Sequence, residues 1–115
     1  MNIKKLDSVI KRFWQNEGKN DVYYLGVCSE FAMALRRFLK AGTVYKAGLM
    51  HTFLEYKGYY CDIRGCFPPG KYKMVASATS YTPATQKEIA HIQSLLEHDT
   101  VDHIIKGLKQ AEKEI

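Results

Sequence analysis

Apolar residues mark out the elements of this chain before any chemistry is considered. Ile3, Leu6, Ile10, Phe13 and Trp14 fall at i, i+3, i+7, i+10 and i+11. That stripe predicts an amphipathic helix with Lys4, Lys5, Lys11 and Arg12 on or beside its polar side. Asn16 to Asp21 carries loop chemistry, and Val22-Tyr23-Tyr24-Leu25 is expected to run extended into Gly26. Phe31, Leu35, Phe38 and Leu39 return to helical spacing, with Ala32 and Ala34 as good helix formers and Ala41-Gly42 as the stop. Thr43 to Ala47 reads as a short strand broken by Gly48. Gly65 to Gly70 is a turn-rich crossing, and Lys71 to Ala76 alternates as a further strand would. Thr85-Gln86-Lys87-Glu88 matches a capping box, with Pro83 just ahead of it. Ile89, Ile92 and Leu96, with Leu95 beside them, form the apolar face of that helix. His98-Asp99-Thr100 interrupts, and Val101, Ile104, Ile105 and Leu108 define a last helix.

Between Gly48 and Gly65 the period changes to two. Lys57-Gly58 separates two runs rich in aromatic and β-branched residues, and glycine there supplies the positive φ of a tight turn. With that turn, Tyr56 faces Tyr59, Phe53 faces Asp62 and His51 faces Arg64. His51, Phe53, Glu55, Tyr60, Asp62 and Arg64 then share one face, while Met50, Thr52, Leu54, Tyr59, Cys61 and Ile63 share the other. Asp62 becomes the diagonal neighbour of His51, close enough for a carboxylate to orient an imidazole. The expected fold class is α+β, one domain over residues 1–115. N-terminal helices, one bearing Cys28, pack on a small antiparallel sheet, and a C-terminal helical hairpin covers the sheet or offers a partner surface.

Cys28 falls at the start of the second helix, after Gly26. Unpaired backbone N–H groups and the helix dipole there favour an anion, so they favour a thiolate and can serve as an oxyanion hole. Gln15, Asn20 or a tyrosine of the Val22–Leu25 run could supply a second oxyanion donor. Taken singly, each residue has a plainer role: Cys28 as a small buried hydrophobe, His51 as a structural histidine, Asp62 as a turn or salt-bridge residue. Taken together, a nucleophile, a base and a group that orients the base form the logic of nucleophilic catalysis.

The composition narrows the setting. Of 115 residues 46% are apolar and 25% charged, which is ordinary for a globular protein. Seventeen basic against 12 acidic residues leave a net charge of +5, which suits solubility better than a nucleic-acid partner. No apolar run reaches the roughly 18 residues of a membrane span. Three cysteines are too few for a disulfide framework, and the N-terminus lacks a signal-like apolar stretch, so a reducing cytoplasm is the expected compartment.

The run from Gly26 to Gly65 resembles the core of the transglutaminase-like group within the papain-like cysteine hydrolase superfamily. Gly26-Val27-Cys28 matches the group's Gly-x-Cys helix start, with Ala32 as the small residue four after the cysteine. Leu35 and Leu39, Ala41-Gly42 and Thr43-Val44-Tyr45 follow its helix end and next strand. His51-Thr52-Phe53 matches its histidine with an aromatic residue two further on, and Gly58-Tyr59-Tyr60 leads to Asp62. The resemblance implies Cys28 as nucleophile, His51 as general base and acid, and Asp62 as the orienter of the imidazole. It implies cleavage or transfer at an amide or ester of a protein or peptide substrate through a thioester, with no cofactor. Two other readings stand beside it. One is an inactive binding or regulatory module on the same fold. The other is a metal site from Cys61, Cys66 and His51, with or without Cys28. His91, His98 and His103 read as surface residues.

Overall fold

The computed structural model describes residues 1–48, 51–73 and 81–115. Helix α1 spans Ile3–Asn16, capped by Asn2, whose Oδ1 accepts the Lys5 N–H at 2.7 Å. A short helix α2, Val22–Leu25, precedes α3, Cys28–Leu39. The strands are β1 Thr43–Ala47, β2 His51–Tyr56, β3 Tyr59–Asp62, β4 Gly65–Phe67 and β5 Tyr81–Pro83. Helices α4, Gln86–Leu95, and α5, His98–Glu114, complete the chain. The strands form one antiparallel sheet in the order β4-β3-β2-β1-β5. The fold is therefore α+β, with the Cys28 helix on an antiparallel sheet and two helices at the C-terminus.

The β2–β3 register is the one expected from the turn chemistry: Tyr56 pairs with Tyr59, Glu55 with Tyr60 and Leu54 with Cys61. Lys57 and Gly58 both take positive φ, +53° and +82°, and the Gly58 N–H donates to Glu55 Oε1 at 2.7 Å. The sheet separates two apolar layers. On one side Val44, Leu54, Cys61 and Ile63 pack with Leu6, Ile10 and Phe13 of α1, Phe31 and Leu35 of α3, and Ile104 and Leu108 of α5. On the other, Ala47, Phe53 and Tyr72 are buried among Tyr45, Tyr60, Phe67 and Tyr81.

Several elements differ from expectation. Val22–Leu25 is helical because Asn20 organises it: Asn20 Oδ1 accepts the Val22 N–H at 3.0 Å, and the Tyr23 ring packs edge-on against Phe13 at 5.3 Å. The break before α5 falls at Leu96-Glu97, where Leu96 is buried, and His98 is already helical. Gly65–Phe67 is a strand within the crossing. Tyr81–Pro83 is a second unexpected strand, whose proline is tolerated because β5 lies at the sheet edge. Of the span expected as a further strand, Lys71 closes the 3₁₀ turn Pro69–Lys71; residues 74–76 of that span lie outside the described residues, as does Met50. The capping box at Thr85 and Glu88 is present with both of its bonds. Among the described residues no helix is long and apolar enough to cross a membrane.

Candidate functional site

His51 opens β2 and Asp62 closes β3, so the antiparallel pairing brings both to one end of the sheet. Their connection runs through a residue that the sequence pattern does not single out. Tyr72 Oη donates to Asp62 Oδ2 at 2.9 Å and lies 2.9 Å from His51 Nε2. With the tyrosine proton used on the carboxylate, the hydroxyl oxygen is free to accept from a protonated His51 Nε2, and the Tyr24 backbone also bonds to the ring. Asp62 thus orients His51 through a hydroxyl rather than by the direct contact expected. Asp62 and Tyr72 are only 4% and 3% exposed.

Arg64 completes the carboxylate's environment. Its backbone N–H donates to Asp62 Oδ1 at 2.8 Å, and its guanidinium reaches both oxygens, with Nη2 to Oδ2 at 2.7 Å. The guanidinium is held over the Tyr24 ring at 4.6 Å and near Phe67 and Tyr72. Burial pushes the His51 imidazole below its ordinary value; the Asp62 charge opposes that shift and Arg64 adds to it. Burial and the neighbouring Asp62 charge push the Tyr72 hydroxyl up, so it stays a donor. At neutral pH His51 is a neutral base on a fixed support.

Cys28 is the first residue of α3 and is buried. Its chain neighbours reach the histidine strand from both sides. Ser29 Oγ donates to Thr52 Oγ1 at 3.1 Å, beside His51, and the Tyr24 ring lies 5.0 Å from the imidazole. Of the residues considered as second oxyanion donors, Asn20 accepts the Val22 N–H through Oδ1 and Tyr23 bonds to Glu17. Tyr24 is the one packed against His51.

A cavity of about 620 Å³ opens at this end of the sheet. Ser29, Lys46, His51 and Thr52 line it, and α4 contributes Lys87, Glu88, His91, Ile92 and Leu95. The capping box fixes the start of α4, and a Lys46–Glu88 ion pair fastens the helix to β1. Leu95 is 68% exposed at the cavity. His91 and His103 are exposed, as expected of surface residues; His91 also lines this cavity, and His103 bonds Glu17 at 2.6 Å. The fastening of α4 could be inferred from Thr85 and Glu88, but not which residues α4 would face.

The Cys61–Cys66–His51 metal grouping does not converge: Cys61 packs on the helix side of the sheet and His51 lies against Phe53 on the other. Among the described residues no three His, Cys, Asp or Glu side chains are placed to hold an ion. Comparison with known proteins finds no matching family model, no matching curated protein and no matching solved structure.

Proposed function

We propose that the protein is a small thiol hydrolase or acyltransferase of the transglutaminase-like kind, acting on an amide or ester carbonyl. The observation that carries this reading is the buried His51–Tyr72–Asp62 chain. It holds a neutral imidazole at a cavity that also receives Ser29, from the first turn of the helix that Cys28 begins. In this reading His51 takes the Cys28 proton as sulfur attacks the carbonyl. The α3 N-terminus stabilises the oxyanion, and the imidazolium returns its proton to the leaving group. Water or an amine then resolves the thioester. Tyr72 and Asp62 keep the ring oriented and offset its charge when it is protonated. The apolar wall of Ala84, Ile92 and Leu95 suits an aliphatic segment of a peptide.

Alkylation by iodoacetamide, followed thiol by thiol, tests the reading. Cys28 is expected to react at neutral pH faster than a small-molecule thiol, and His51→Gln is expected to remove the advantage. Equal Cys28 rates in the wild-type protein and the His51 variant would remove the catalytic reading and favour a binding module.

A further inference from the structure

Two cysteines outside the proposed catalytic chain are built for each other. Cys61 and Cys66 are directly opposed across the β3–β4 ladder, and their sulfurs stand 3.0 Å apart without a covalent bond. Opposed antiparallel residues have Cα atoms about 4.5–5.5 Å apart, inside the roughly 4.4–6.8 Å that a disulfide spans. Closing the sulfurs to a bond of about 2.05 Å therefore needs about 1 Å of movement and no change of register. The pair is also asymmetric. Cys61 is fully buried, whereas Cys66 lies on edge strand β4 and is partly exposed. The Cys61 S–H donates to the Cys66 sulfur, and the Cys66 N–H is held by Asp7 Oδ1 at 2.9 Å.

The geometry points to Cys61 and Cys66 as a reversible dithiol–disulfide site, oxidised by a small-molecule disulfide of the glutathione class. The Cys66 thiolate attacks oxidised glutathione, forming a mixed disulfide and releasing one glutathione thiolate. That thiolate takes the Cys61 proton. The Cys61 sulfur then attacks the Cys66 sulfur and expels the second glutathione, so one protein dithiol is oxidised and one glutathione disulfide is reduced. The roles follow from environment: Cys66 is the partly exposed sulfur that a small disulfide can reach, whereas Cys61 is buried and its thiol is pushed up by the bond to Cys66 and by burial. The bridge braces the hairpin that carries Asp62 and Arg64, and neither sulfur takes part in the proposed Cys28 chemistry.

The test is oxidation of the intact native protein in glutathione buffers of graded ratio, read by mass spectrometry of the whole chain and its peptides and by thermal melting. The site predicts loss of two hydrogens, a Cys61–Cys66 linked peptide, a raised melting temperature, and reversal by dithiothreitol. Cys28→Ala should leave all of this unchanged. Cys66→Ser should abolish it, and Cys61→Ser should stop the reaction at a glutathione adduct on Cys66. A wild-type protein that stops at the adduct, keeps both thiols reduced in fully oxidised glutathione, or links Cys28 instead would overturn the proposal.

Discussion

Tyr72 carries more of the site than its position in an irregular segment suggests. Its hydroxyl joins a buried carboxylate to a buried imidazole, and its ring packs on Phe53 at 4.6 Å. Tyr72→Phe keeps the ring and removes the hydroxyl, which leaves His51 Nε2 and one Asp62 lone pair without that partner. We expect a loss of about 1–3 kcal/mol in chemical denaturation, the cost of unsatisfied buried polar groups. His51 itself gives a pH signature. Its folded-state value lies below the ordinary 6.5, so the unfolded chain takes up the proton more readily. The resulting stability is fully present above about pH 6.5 and is lost as pH falls below that, through the lowered folded value. Denaturant midpoints should therefore drop on mild acidification, before the carboxylates titrate, and His51→Gln should flatten that part of the curve.

At the scale of elements, α1 packs closely against α5 at Gly107. A Cβ at Gly107 would meet the Phe13 ring at 2.4 Å. Gly107→Ala should therefore destabilise despite its better helix propensity, by about 1–3 kcal/mol for a crowded core, read as a lower denaturant midpoint. Gly65 is constrained twice, by a φ of +126° and by Asp7 Oδ1, which lies 2.2 Å from where its Cβ would be. The contrast between legible and illegible elements is physical. Lys57-Gly58 and the alternation around it specify one register, because a slip of one residue would send Leu54, Cys61 and Ile63 to the wrong face. Thr85 and Glu88 announce α4 because the cap is a local bond. Strands β4 and β5 have three residues each, too few for a period to show. Val22–Leu25 has strand-like residues, but Asn20 and the packing of Tyr23 override that preference. Tyr72 falls in the alternating run of residues 71–76, a pattern that marks no chemistry, and only the tertiary fold brings it to His51 and Asp62.

Across the whole molecule, stability is unevenly distributed. The α1–α3–α5 layer holds the deepest residues, among them Leu6, Phe13, Leu35, Ile104 and Leu108, whereas α4 has no buried residue. Hydrogen exchange should find α4 opening with a much smaller free energy than α3 and α5, which should exchange near the global limit. A mobile α4 would suit a cavity wall that admits a peptide. Equal protection of α4 and α3 would contradict this division. Ion pairs such as Arg12–Glu114 at 2.9 Å and Lys5–Glu112 at 3.3 Å tie α1 to the end of α5. They are partly exposed, so Arg12→Ala should change stability by less than about 1 kcal/mol.

We propose that Cys28 and His51 act as one unit supported through Tyr72. The most direct measurement is the rate of Cys28 alkylation across pH in the wild-type protein, His51→Gln and Tyr72→Phe, with folding verified in each. A fast Cys28 reaction at neutral pH is expected, lost with His51 and reduced when the Tyr72 hydroxyl is removed. Superimposable profiles for the three folded proteins would contradict it.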